Sequence, residues 1–125
     1  MLTVAMRRAD IAVAQLPEEV DFDNAACVRA QCEDLIRQGC RRLVLDASEV
    51  RYLDSSGISM IVSLFHALSG LAGTLRLAAV DDHYQQVWRI LGLDGLLPLS
   101  ATVDEALGAL VTGSGLPESE VPGRA

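Results

Sequence analysis

Two adjacent hydroxyls stand at what reads as the start of a helix, in the run Leu53-Asp54-Ser55-Ser56-Gly57. A consecutive apolar segment, Arg42-Leu43-Val44-Leu45-Asp46, leads into this run, and an unusually apolar helix leaves it. The short polar side chains of Asp54, Ser55 and Ser56 can accept hydrogen bonds from the free N–H groups of a first helical turn, where the helix dipole favours negative charge. A serine placed there is suited to carrying a phosphate. The same residues also suit an ordinary N-cap ahead of a core helix, and the run alone leaves both uses open.

Nucleophilic catalysis is the other chemistry that serines could supply, through a triad of Ser55 or Ser56 with His66 or His83 and a carboxylate. The chain has only two histidines. His66 falls on the polar strip of the helix that the serines begin, and the Gly-x-Ser-x-Gly elbow is absent. No catalytic residue is therefore assigned, and no enzymatic activity is expected. Neither a Gly-x-x-x-x-Gly-Lys-Ser/Thr loop nor a Gly-x-Gly-x-x-Gly turn occurs, so no cofactor is expected and any ATP and magnesium would belong to a partner. Cys27, Cys32 and Cys40 are odd in number and lack Cys-x-x-Cys spacing. They indicate neither a disulfide framework nor a metal site, and read as core or near-surface residues in a reducing compartment.

The composition bounds the partners. With 125 residues, 50% hydrophobic and 22% charged, the chain has the makeup of one folded, soluble domain with one core. Its net charge of -7 opposes direct contact with nucleic acid or anionic lipid, which attract positive surfaces. No apolar stretch approaches a transmembrane span, because Ser59, Ser63, His66 and Ser69 interrupt the longest candidate. Met1 to Asp10 holds no apolar segment long enough for a secretory signal, and the expected location is the cytoplasm.

Periodicity supplies the elements that must position the serines. Ile11 to Leu16 reads as a strand ending at Pro17; Asp23 or Asn24 then caps a helix burying Ala25, Val28, Cys32, Leu35 and Ile36, which Gly39 ends. Arg42 to Asp46 is a strand covered on both faces. A helix from about Ser56 to Ser69 follows, and Gly70 to Gly73 break it. Thr74 to Val80 is a further strand, Asp81 or Asp82 caps a helix through Leu91, Leu96 to Leu99 is a short strand, and Val103 to Val111 is a last helix. Met1 to Arg8 is read no further than a possible edge strand. Strand alternates with helix throughout, which predicts an α/β layer structure. From Gly113 the composition turns too poor in apolar residues to fold, so residues 113–125 are expected to form a flexible tail behind a domain spanning 1–112.

Placed 100° apart, the residues after Gly57 form two apolar stripes. Ile58, Ile61, Val62, Phe65, Leu68 and Ala72 face the sheet, and Met60, Leu64, Ala67 and Leu71 lie beside them. The second stripe either packs on a neighbouring helix or meets another protein. Met60 is singled out as an adaptable outward contact, since it lies in the first turn beside the serines.

With these residues in view, the chain resembles the bacterial anti-sigma factor antagonists, built on the STAS domain. The resemblance runs from about Ile11 to Leu110. It rests on Val50-Arg51-Tyr52-Leu53-Asp54-Ser55-Ser56-Gly57-Ile58, similar to the family's apolar-Asp-Ser-Ser/Thr-Gly-Leu signature, on Glu19-Val20-Asp21, and on Trp88-Arg89-Ile90-Leu91-Gly92-Leu93. It implies a single STAS-like domain, with a mixed β-sheet of about four to five strands and four helices. It further implies a non-catalytic switch that binds an anti-sigma factor, itself commonly a serine protein kinase, and so regulates transcription indirectly by releasing a sigma factor. The implied phosphorylation site is Ser55, with Ser56 the second choice, and a serine phosphatase would restore the binding form. Asp21, Asp23, Asp54, Ser56, Gly57, Ser59 and Met60 are the expected partner contacts. Two departures bear on which partner fits: Glu18 stands where the family usually has glycine, and Ser59 where it often has a second one. A STAS subunit of a membrane transporter or of a stress-sensing assembly is the alternative with the same fold.

Overall fold

The structure, a computed structural model, describes residues 1–111. The expected boundary between domain and tail, at residues 112 and 113, lies outside them. The elements run β1 (Thr3–Arg8), β2 (Ile11–Gln15), β3 (Glu19–Val20), α1 (Ala25–Arg37), β4 (Arg42–Asp46), β5 (Tyr52–Leu53), α2 (Ser55–Ser69), β6 (Thr74–Ala78), α3 (Asp82–Ile90), β7 (Leu99–Ser100) and α4 (Val103–Val111).

Five strands form one sheet in the order β1-β2-β4-β6-β7. β1 pairs antiparallel with β2 and every other neighbour is parallel, so the sheet is mixed. The possible edge strand near the amino terminus is thus a real one. In β4 both Leu43 and Leu45 on one face and Val44 on the other are fully buried, as a central parallel strand requires. Alternation then assigns the layers. Leu43, Leu45, Leu75 and Leu77 share a core with residues of α1, α2 and α3, whereas Val13, Val44 and Ala78 pack with Ala106 and Leu110 of α4. Arg42 ties the second layer down: its guanidinium donates to both carboxylate oxygens of Asp10, at 3.0 and 2.7 Å, and to the Leu110 carbonyl at 3.1 Å. That hydrogen bond holds the Asp10 carboxyl below its usual range.

The apolar stripes of α2 meet two different partners. Ile61 and Leu68 are buried on the sheet side, while Met60 and Leu64 are equally buried and α1 runs against α2. The second stripe therefore packs mainly inside the domain, leaving Ala67 and Leu71 exposed. Cys32 and Cys40 are buried and Cys27 is exposed. Burial pushes the Cys32 thiol up to about 12 and raises that of Cys40, which suits packing better than redox chemistry.

Two expectations change at the carboxyl side of the sheet. β6 stops at Ala78, because Ala79 turns into left-handed backbone at φ 61° and its N–H donates to the Ser100 carbonyl at 3.0 Å. The strand expected at Leu96 to Leu99 is instead Leu99–Ser100, preceded by a single 3-10 turn at Leu93–Gly95. Leu97 is drawn into the core, where its carbonyl accepts the buried Trp88 indole N–H at 2.9 Å, and Pro98 has no N–H to give a ladder. The pair β3 and β5, which form a separate two-stranded parallel sheet, is too short for periodicity to reveal.

Trp88→Phe keeps an aromatic ring but strands the Leu97 carbonyl in the core. We expect a loss of about 1–3 kcal/mol in urea unfolding, with the m-value unchanged.

Candidate functional site

The short β3–β5 sheet brings two segments together that the chain separates by more than thirty residues. Glu19 pairs with Tyr52 and Val20 with Leu53, so the chain leaving β3 toward α1 runs beside the chain leaving β5 into α2. The Glu18 carbonyl receives the N–H groups of Arg51 at 2.7 Å and Tyr52 at 3.1 Å. Glu18 itself lies outside the left-handed region, which among the described non-glycine residues holds Ala9, Ala72 and Ala79, so its side chain causes no backbone strain there. From behind, the Tyr84 hydroxyl of α3 accepts the Leu53 N–H at 3.0 Å.

Asp54 is the N-cap of α2, in extended backbone. One carboxylate oxygen accepts the N–H groups of Ser56 at 2.9 Å and Gly57 at 3.1 Å, and the other accepts the N–H of Phe22 at 3.0 Å. A single side chain thus caps α2 and pins the loop ahead of α1. Gly57 makes the approach possible. A Cβ at this position would lie 2.5 Å from the Val20 carbonyl oxygen and 2.6 Å from Leu53 Cδ1.

The loop ahead of α1 is held by its own side chains. Asp21 Oδ1 accepts the N–H groups of Asp23 at 3.0 Å and Asn24 at 3.3 Å. Asn24 occupies the N-cap position of α1 without a capping bond from its side chain. Its Oδ1 instead accepts the Asp21 N–H at 2.9 Å and its Nδ2 donates to the Glu19 carbonyl at 2.7 Å, so neither residue expected as a helix cap serves as one.

Between the starts of the two helices lies an open groove of about 370 Å³. Phe22, Ala25, Ala26 and Arg29 line one wall, and Ser55, Ser56, Ser59 and Met60 the other. Ser55, Ser59 and Asp23 are exposed, and Asp21, Ser56 and Asp54 are half-buried. Of the expected partner contacts, Ser56, Ser59 and Met60 line this depression together with Ser55. The structure corrects two of the expected contacts and reassigns a third. Met60, expected to reach outward, is 3% exposed and only borders the groove, because α1 packs against its stripe. Gly57 is buried against Val20 and offers no outward surface. The Asp54 carboxylate is engaged by three backbone donors, so it acts as a cap. It also takes the first-turn N–H groups that Ser55 and Ser56 were expected to share.

Two residues of the groove went unnoticed in the sequence. Phe22 is 81% exposed between two aspartates, and Arg29 follows it by seven residues with Ala25 and Ala26 between. Phe22 lies in the loop ahead of α1, so no helical period joins it to Arg29 and the sequence holds no local signal that links them. His66 stays apart from Ser55. His66 lies eleven residues along α2 from Ser55, roughly 16 Å of helix rise, and packs edge-on to Phe65; His83 packs edge-on to Tyr84. Among the described residues no helix is long and apolar enough to cross a membrane.

Comparison with known proteins bears on this arrangement. The profile of the STAS domain family matches residues 4–106. The chain is 28% identical over 101 residues to the anti-sigma F factor antagonist of Paenibacillus polymyxa, covering 80% of this chain and 84% of that one. Its fold superposes on the unphosphorylated Bacillus anti-sigma factor antagonist SpoIIAA with a TM-score of 0.77 at 22% identity, covering 92% of this chain and all of the other. The phosphorylated form of that protein gives a TM-score of 0.70 at 22% identity, with 88% and 99% covered. The murine anion transporter Slc26a9 contains the same fold, with a TM-score of 0.71 at 15% identity over 87% of this chain and 19% of the transporter.

Two substitutions test the construction of the site. Asp54→Ala removes three charge-assisted bonds and should cost about 1–3 kcal/mol by urea unfolding, with faster amide hydrogen exchange at Phe22 and Ser56. Gly57→Ala should cost a similar ~1–3 kcal/mol through overpacking and shift the Val20 and Leu53 resonances in NMR spectra.

Proposed function

We propose that this chain, which belongs to the STAS domain family, is an anti-sigma factor antagonist whose binding is switched by phosphorylation of Ser55. In this reading the unmodified groove docks an anti-sigma factor that is also a serine protein kinase, which frees a sigma factor and changes transcription without contact between this chain and DNA. The kinase phosphorylates Ser55, and a serine phosphatase restores the binding form in the cytoplasm. The chain itself performs no catalysis. The observation that carries the reading is the placement of Ser55: an exposed hydroxyl at the rim of a groove, in the first turn of a helix whose cap is supplied by the neighbouring Asp54.

The physical case rests on what a phosphate does at such a place. It adds about -1.5 to -2 charges to a chain that already carries -7, on a side chain that packs against nothing in the core. The fold should therefore survive. In a docked complex the same group must be desolvated, and opposite an acid of the partner it meets repulsion on the order of a few kcal/mol at an effective dielectric near 20. Since roughly every 1.4 kcal/mol is tenfold in affinity, such a change converts a working complex into a failed one. Exposed Asp23 and Ser59 and half-buried Asp21 and Ser56 would supply polar contacts, and Phe22 an apolar one.

A STAS subunit of a transporter or of a stress-sensing assembly uses the same fold, as the likeness to Slc26a9 illustrates. The adjacent Ser55-Ser56 pair supports the switch over that alternative. Incubation of the purified chain with an anti-sigma factor kinase and ATP, followed by mass spectrometry, should place a single phosphate on Ser55 and none on a Ser55→Ala variant. Ser55→Asp should stay folded by circular dichroism while binding at least about tenfold more weakly. A folded Ser55→Asp variant that bound as tightly as the parent would refute the switch.

A further inference from the structure

A phosphate on Ser55 would find the usual receptors of a helix start already engaged. The N–H groups of Ser56 and Gly57 both donate to Asp54 Oδ1, and the nearby N–H of Phe22 donates to Asp54 Oδ2. Taking these donors would mean displacing the carboxylate that caps the helix and leaving it beside a dianion. A second donor set is present in the same groove. Arg29 lines the wall formed by α1, facing the wall that carries Ser55, Ser56 and Ser59, and it is the cationic side chain among the residues lining this depression.

Arg29 is weakly committed elsewhere. Its Nε lies 3.7 Å from Glu33 Oε2, one turn along α1, and the two side chains are 48% and 44% exposed. An exposed i,i+4 pair at that separation contributes little, and the guanidinium is free to exchange it for a stronger partner. A phosphate is such a partner, with two charges and three acceptor oxygens that match the planar guanidinium fork. The α1 wall offers no bulk to stop the approach, since Ala25 and Ala26 are the residues between Phe22 and Arg29 on it.

We propose that Arg29 is the intramolecular receptor of the Ser55 phosphate, closing a salt bridge across the groove in place of its contact with Glu33. This rests on the reading of Ser55 as the modified residue and adds how modification acts. Besides repelling a partner's acid, the phosphate occupies the groove and withdraws the guanidinium that lines it from an acidic side chain of the partner. An intramolecular phosphate acts at an effective concentration roughly in the millimolar range, which favours it over an acid that a partner must bring to Arg29.

The test installs phosphoserine at position 55 during synthesis of the full chain, so that no kinase is needed and a failed kinase reaction would leave the result standing. Thermal unfolding is measured for the parent and Arg29→Gln, each with and without the phosphate. Without phosphate the two should unfold within about 2 °C of each other, as expected of an exposed helix position. With phosphate, Arg29→Gln should fall behind the parent by a further ~4 °C, a coupling that shrinks in 1 M NaCl. Phosphorus NMR gives a reading that a merely structural role would not move: the phosphoserine resonance should shift toward that of a free phosphoserine peptide in Arg29→Gln, and Arg29→Lys should lie between. A phosphate that changes the unfolding temperature equally in parent and Arg29→Gln, or a resonance unaffected by either substitution, would overturn the proposal.

Discussion

The carboxylate of Asp54 is the constraint on which the site depends. Its three bonds, to Ser56, Gly57 and Phe22, join the first turn of α2 to the loop ahead of α1 across thirty-two residues of sequence. A charged acceptor meeting three backbone donors is among the stronger polar arrangements available to a half-buried side chain. The close contact of Gly57 with the Val20 carbonyl serves the same end from the apolar side. With both in place, the loop ahead of α1 is fixed to the first turn of α2 at the rim of the groove, above the direct packing of the two helices.

Behind this junction the sheet supplies rigidity by layering. Leu43, Leu45, Leu75 and Leu77 hold α1, α2 and α3 on one face, and Val13, Val44 and Ala78 hold α4 on the other. Because α1 and α2 pack on the same face and on each other, Met60 and Leu64 are spent on that contact and the groove opens only at the helices' amino-terminal ends. The groove therefore pairs hydroxyls and one guanidinium with apolar surface from Phe22, Ala25, Ala26 and Met60. Under the proposed switch, a charge added at exposed Ser55 changes this surface without entering the core beneath it.

Much of this was legible along the chain. The central strand Arg42–Asp46 and the last helix Val103–Val111 coincide with the periodicity, because a doubly covered strand and an amphipathic helix each impose a pattern that burial then confirms. The sequence reading failed where tertiary contacts outrank local preference. β3 and β5 are two residues each, and neither would be a strand without the other. Leu97 leaves a strand-like run to satisfy Trp88, and Asn24 abandons its capping role to bridge Asp21 and Glu19. Met60 and Arg29 show the same limit within the site. Helical phase ranks residues by face, but whether a face is covered depends on a neighbour that the local pattern does not contain.

By itself, then, the sequence determined the chemistry at hand and the order of the layers: an Asp-Ser-Ser-Gly helix start following a doubly buried strand, in a chain of alternating strands and helices with an acid surplus. Those properties are local, set by hydrogen-bond capacity, side-chain period and charge. Only the tertiary structure decided that Asp54 would use up the donors beside Ser55 and that Phe22 and Arg29 would stand across from the serines. Contacts of this kind join residues distant in sequence through packing and backbone pairing, and no periodicity within one segment encodes the distance to another.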